Sequence, residues 1–230
     1  WKQYLWGTPR DIKFLDLLEQ MPKLDEIAGA PGSGRQWTKG QGFQPYYPEK
    51  AAIDPRYPKG TRNPWRATDS FIRADKAFPD MFLFGKDCVS LGNHLDSLRA
   101  SRDLLRRCPS AKLFSSPLVL ISQGIGEESL PKVAYADFSV LFQDSLQSIC
   151  GQKEDEDLLL FLTVYLRSHL AKYYLFHTSA NWGTERDKVQ LTELLRIPFP
   201  LPGSEYAHKD AEKIVRLVAS KMRALRKHIA

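Results

Sequence analysis

Cysteine is scarce in this chain of 230 residues, and its placement suits no cysteine chemistry. Cys88, Cys108 and Cys150 are far apart, odd in number, and accompanied by neither a Cys-x-x-Cys pair nor a nearby cluster of histidines. A disulfide framework and a zinc site are therefore not expected, which leaves buried or half-buried free thiols in a reducing cytoplasm. Uninterrupted apolar runs are missing as well. The most apolar stretch, Leu158 to Phe176, contains Arg167, His169 and Lys172, so it reads as a core helix and not as a bilayer span. No secretion signal is visible. The five histidines, at 94, 169, 177, 208 and 228, are scattered, and no Asp/Glu/His constellation has the compact spacing of a nuclease or metal site. His169 and His177, eight apart on one expected helix, read as packing or capping residues. Gly29-Ala30-Pro31-Gly32-Ser33-Gly34-Arg35 lacks the lysine, the following hydroxyl and the helix of a phosphate-binding loop, and reads as a flexible loop.

A hydrophobic share of 43%, with 11% aromatic residues, supplies a real core. Lys and Arg number 33 against 27 acids, a net charge of +6 that suits a polyanionic partner without requiring one. Because the chain begins at Trp1 in what reads as mid-domain sequence and ends inside a helical pattern, we expect a piece of a longer protein.

Thr8-Pro9-Arg10-Asp11 carries a capping hydroxyl, a proline at the first helical position and an acid three residues after the cap, which predicts a helix over about 9 to 20. From Ala28 to about Pro79, glycine, proline and aromatics crowd out any helical period, so loops and short strands are expected. Met81 to Phe84 reads as a strand, and Leu95 to Arg107 as a basic helix. Pro117 to Ile121 is a buried strand ended by Gly124 and Gly126. Val133 to Ile149 is one bent strand or a pair, with Tyr135, Phe138, Val140 and Phe142 as core candidates. The four acids in Lys153-Glu154-Asp155-Glu156-Asp157 favour initiation of a helix running from about 155 to 175. Asp187 to Leu195 reads as a short helix, and the prolines of Ile197 to Pro202 force extended chain. A last helix starts near Ser204. Its Ala211, Val215, Val218, Met222, Leu225 and Ile229 form a heptad seam, which fits either a helix packed on its own domain or a spacer that pairs elsewhere.

Distribution of charge is more telling than its total. Between Ser33 and Lys76 nine bases face four acids, a local excess of +5, interleaved with Trp37, Phe43, Tyr46, Tyr47, Tyr57, Trp65 and Phe71. Arg and Lys neutralise phosphates and read guanine, whereas Gln and Asn can read adenine in the major groove. The candidate contacts are Arg35, Gln36, Lys39, Gln41, Lys59, Arg62, Asn63, Arg66 and Arg73. A second basic cluster adds Arg99 and Arg102, followed by Arg106 and Arg107 along one face of the expected helix. The bland alternative in both places is a solvated positive surface.

Three segments carry a resemblance: Pro117 to Gly124, Phe138 to Gly151, and Tyr165 to Gly183 continuing through Leu194-Leu195-Arg196-Ile197-Pro198-Phe199-Pro200-Leu201-Pro202. In order and spacing they resemble the C-terminal target-recognition region of adenine-specific DNA methyltransferases, including type IIG restriction-modification enzymes, and more distantly the specificity subunits of type I restriction systems. Trp6-Gly7-Thr8-Pro9-Arg10-Asp11 and Gly40-Gln41-Gly42-Phe43 look like the junction from a catalytic domain into recognition. The resemblance implies an α+β fold: a mixed or antiparallel sheet, a loop-rich insertion, one buried helix and a C-terminal spacer helix. It implies a junction segment over 1–27, a recognition domain over 28–203 and a spacer over 204–230.

The function implied is recognition of double-stranded DNA on behalf of a catalytic methyltransferase domain in the same or a partner chain. That domain would use S-adenosylmethionine, while this chain would hold no cofactor and no metal. A donor-binding loop and an Asn-Pro-Pro-aromatic motif are both absent, and Asn63-Pro64-Trp65-Arg66 lacks the second proline. Two other readings stay open: a protein-interaction module pairing through the heptad helix, and a complete small enzyme such as a nuclease.

Overall fold

In the computed structural model, which describes residues 1–28, 35, 37–43, 109–125, 131–140, 142, 144–180, 182 and 188–226, the chain opens with α1 (Lys2–Trp6) and α2 (Pro9–Glu19). The capping box is formed as the sequence predicts. Thr8 Oγ1 accepts from the Asp11 amide at 3.3 Å, and the Asp11 carboxylate accepts from the Thr8 amide at 2.7 Å. Leu15 and Leu18 point inward, and the turn α3 (Leu24–Ile27) adds Leu24 and Ile27.

Four strands follow: β1 (Thr38–Gln41), β2 (Leu118–Ile125), β3 (Pro131–Ala136) and β4 (Leu146–Cys150), with a 3-10 turn, Ala111–Phe114, before β2. Their order is β1-β4-β2-β3 and every pairing is antiparallel, so the sheet is antiparallel and not mixed. The expected buried strand is β2, but Gly124 does not end it. The strand continues to Ile125 through an irregular register, because the Gly124 amide donates to Ser122 Oγ and the residue bridges to Lys188. The stretch from Val133 to Ile149 resolves into a pair, β3 and β4. Tyr135, Val140 and Phe142 are buried as expected, while Phe138 is half-buried.

Alternation divides the sheet's side chains between two covered faces. Val119, Ile121, Val133, Tyr135 and Ile149 join the main core with the helices. Leu118, Leu120, Ala134, Ala136 and Leu146 are buried outside that cluster. Phe43, Phe114 and Phe142 form a separate aromatic group, Phe114 meeting Phe142 edge-on at 4.9 Å and Phe43 at 6.4 Å between ring centroids. The carbonyl of Leu113 accepts from Ser148 Oγ and Cys150 Sγ, both at 2.9 Å. Burial pushes the Cys150 thiol up to about 12, so it stays protonated and inert, as a structural cysteine should.

The apolar run predicted as one helix over 155–175 is two. After a 3-10 turn at Lys153–Asp155, α4 (Glu156–Leu166) stops at Arg167, and α5 (His169–Thr178) restarts. Ser168 causes the restart: its backbone is extended and its hydroxyl accepts from the Ala171 amide at 3.2 Å, which is N-cap geometry inside a continuous hydrophobic pattern. His169 and His177 both lie on α5. His169 is exposed, and His177 packs on Tyr173 and Phe176.

The short helix expected from Asp187 is α6 (Leu191–Leu194), Asp187 itself lying outside the described residues. The proline-rich exit is non-helical, and it pairs back on the N-terminal region through Leu24 N to Ile197 O at 2.9 Å and Phe199 N to Pro22 O at 2.8 Å. The last helix, α7 (Ala211–Arg226), begins seven residues later than the sequence suggested. Residues 204–210 are turns instead: Gly203 sits at φ +84°, and His208 accepts from the Asp210 amide through Nδ1, a local bond that competes with helix.

Val215, Ala219 and Met222 of α7 enter the same core as Leu15, Leu24, Trp37, Leu159 and Leu194. α7 packs on α4. The expected strand at Met81–Phe84, the expected helix at Leu95–Arg107, Gly126, Ile229, Cys88 and Cys108 lie outside the described residues. Among the described residues, no helix is long and apolar enough to cross a membrane.

Candidate nucleic-acid interface

Three of the predicted contact residues, Arg35, Lys39 and Gln41, fall in the described limb that leads into and forms β1. Being an outer strand of the sheet, β1 pairs only with β4 among the described strands, Lys39 opposite Ile149 and Gln41 opposite Gln147. Lys39 and Gln41 share one side of the strand. Gly40 faces the other, where a Cβ would lie 3.2 Å from the Leu113 side chain, so the missing side chain lets β1 settle against the 3-10 turn.

A cleft of about 440 Å³ opens along β1. Thr38, Lys39, Gln41, Ser110, Gln190 and Thr192 give it hydroxyl, amide and ammonium groups, and Leu113 and Leu191 give it an apolar wall. Hydroxyls and amides both donate and accept, so such a lining suits base edges and phosphate oxygens alike. The Lys39 ammonium pairs with the Asp25 carboxylate of α3, and burial pulls its pKa below the usual lysine value. Gln190, Thr192 and Ser110 were not foreseen. They approach β1 only through the fold, and single polar residues at or within short helices carry no signal by themselves.

Arg35 is held differently. Its Nε donates to Asp155 Oδ1 at 3.0 Å, while Trp37 Nε1 donates to Asp155 Oδ2 at 2.6 Å. Trp37 is 2% exposed and Asp155 8% exposed, so that bond is shielded from water, while Arg35 reaches the carboxylate from a position about a third exposed. Gly151 makes room for it, since a Cβ there would stand 3.0 Å from Trp37 Nε1. The sequence placed Asp155 among acids acting through the helix dipole; its reach to the β1 limb was not foreseen. Gln36, Lys59, Arg62, Asn63, Arg66, Arg73, Arg99 and Arg102 lie outside the described residues, as does Asn63-Pro64-Trp65-Arg66.

Elsewhere an apolar groove of about 380 Å³ runs between α2, α4, the proline-rich exit and the start of α7, lined by Phe14, Phe161, Tyr165, Phe199, Tyr206 and Ile214 among others. Tyr165 donates to the Pro198 carbonyl at 2.6 Å, and burial lifts its hydroxyl to about 12. No cluster of three or more His, Cys, Asp or Glu side chains that could hold a metal occurs among the described residues.

Comparison with known proteins gives these features a context. A search of curated proteins returned no significant match. A solved structure, the HsdS subunit from Thermoanaerobacter tengcongensis, aligns with 14% identity and a TM-score of 0.35 over 99% of this chain and 49% of that subunit. The chain thus spans about half the length of that protein. The family of type I restriction modification DNA specificity domains matches over residues 83–229, well over half of the sequence. The chain belongs to this family of DNA specificity domains.

Proposed function

We propose that this chain reads a duplex DNA sequence for an adenine-methylating restriction-modification system and performs no chemistry itself. Catalysis and S-adenosylmethionine belong, on this reading, to a methyltransferase domain in the same or a partner chain in the cytoplasm. The observation that carries the proposal is a specificity-domain match over residues 83–229 in a chain whose preceding residues 33–76 hold a long run of cations, amides and aromatics with a local excess of +5. The described start of that run lines a polar cleft beside the outer strand of the sheet. Lys39 and Gln41 open the contact surface, and Lys59, Arg62, Asn63, Arg66, Arg73, Arg99 and Arg102 extend it.

Anisotropy titrations of a labelled 30-base-pair duplex against salt test this. Phosphate neutralisation lowers log affinity linearly with log salt by about 0.9 per contact, so three contacts give a slope of about −3. Replacing Arg62 and Arg66 together with Ala is expected to flatten that slope by about 2. A slope near zero for the unaltered chain overturns the DNA reading.

One observation favours a second activity, pairing with a protein helix. Ile214, Leu217 and Leu225 on α7 are about half exposed, beside the face that packs inward. Concentration-dependent sedimentation abolished by Leu217→Glu supports it, and a monomer at all concentrations removes self-pairing.

A further inference from the structure

Asp is among the strongest helix N-cap residues, because a short carboxylate accepts from the exposed amides of the first turn. Asp155 occupies the N-cap of α4 and makes no such bond. Both of its oxygens are spent on residues far away in the chain, Oδ1 on Arg35 Nε and Oδ2 on Trp37 Nε1. The two partners lie two residues apart, immediately before β1.

We infer that Asp155 is a positioning residue for sequence reading: it fixes the limb bearing Lys39 and Gln41 at the angle from which these side chains address DNA. The inference rests on the proposed DNA reading. One bond would leave the limb free to pivot, whereas two bonds from a single buried carboxylate to residues 35 and 37 set both its position and its direction. Trp37 supplies the rigid element, a planar indole buried in the main core, with Gly151 leaving the space it needs. The ladder from β1 to β4 then carries the same orientation forward to Gln41.

Electrostatics alone predicts the opposite of this inference. Removing a carboxylate from a DNA-binding protein makes it more cationic and tightens non-specific binding. A positioning role instead predicts that Asp155→Asn reads sequence less well despite its extra positive charge. Trp37→Phe removes the second donor without altering charge, so it separates geometry from charge and serves if Asp155→Asn folds poorly. Glu154→Gln makes the same charge change at an exposed neighbour and is the control.

The experiment selects bound molecules from a randomised 30-base-pair duplex pool with the full chain and each variant, and measures amide hydrogen exchange over 37–43. We expect Asp155→Asn and Trp37→Phe to speed exchange in that segment at least tenfold and to cut sequence enrichment at least fivefold, while Glu154→Gln matches the parent on both counts. Unchanged exchange in both variants overturns the anchor. Faster exchange with unchanged enrichment overturns its role in reading. If the parent chain enriches no sequence, the DNA reading itself falls and takes this inference with it; a peaked parent with an equally peaked Asp155→Asn overturns the inference alone.

Discussion

Asp11 illustrates how much a side chain can do with one carboxylate. It accepts from the Thr8 hydroxyl at 2.6 Å and the Thr8 amide at 2.7 Å with one oxygen, and from the Tyr173 hydroxyl at 2.6 Å with the other. The bonds from Thr8 and then Tyr173 hold its pKa down to about 2, below the ordinary value of 3.8. Burial and the hydrogen bond to Asp11 push Tyr173 the other way, to about 12. Because the folded carboxylate is the more acidic, its stabilising effect is complete above about pH 4 and is lost as pH falls from 4 towards 2. Asp11→Asn should therefore lower Tm at pH 7 and shrink the difference from the parent chain as pH approaches 2, a trend thermal melts across that range would register. The Thr8–Asp11 half of this arrangement was legible in the sequence, since a capping box is a local pattern. Tyr173 was not, because it lies 162 positions away and reaches Asp11 only once α2 and α5 are packed. Asp155 was hidden for the same reason: acidic neighbours at a helix start suggest a dipole effect, and nothing nearby in sequence announces Trp37.

Periodicity marked where helices occur and was less sure of where they break. The α4–α5 boundary falls at Ser168 inside an unbroken apolar pattern, so a single polar cap outweighs the pattern around it. In α7, a strict heptad drifts by roughly 20° every seven residues relative to a straight helix. The helix packs on α4 without a supercoiled partner among the described residues, so the inward positions become Val215, Val218, Ala219 and Met222, and Leu225 swings out to 50% exposure. Arg223 reinforces the contact by pairing with Asp157 and, at 3.7 Å, Glu156. Met222→Ala should cost about 2–5 kcal/mol, as is usual for a buried large-to-small change, whereas Leu225→Ala should stay within about 0.5 kcal/mol. Urea denaturation of the two variants distinguishes this packing from a heptad seam, which would make both costly.

Residues 15–28 and 189–222 contribute to the same core as the sheet and α4. The N-terminal turn and the proline-rich exit are joined by backbone bonds between Pro22–Asp25 and Leu195–Phe199. Such closure across nearly the whole sequence couples unfolding of the ends to that of the middle. Near-ultraviolet dichroism, far-ultraviolet dichroism and tryptophan emission should give coincident thermal transitions; separated transitions would place the ends in units of their own. The α+β class was readable because buried strands and amphipathic helices leave different local periods. Sheet order was not, since β1 joins the sheet through partners more than a hundred positions away. The polar cleft stayed hidden for a related reason, being assembled from Lys39 and Gln41, Ser110, and Gln190 and Thr192.

The aromatic group beneath the sheet has one more consequence. Phe43 and Phe114 flank residues 44–113 in sequence and stand side by side in space, clamped further by the Phe43 amide on the Phe142 carbonyl and by the Val140 amide on the Phe114 carbonyl. The two ends of the stretch between them are therefore neighbours in space. Doubling the length of such a connection costs only about 0.6 kcal/mol in closure entropy. By that arithmetic a span of another length between these two rings adds little entropic cost, so the size of the connection is open to variation without moving either end.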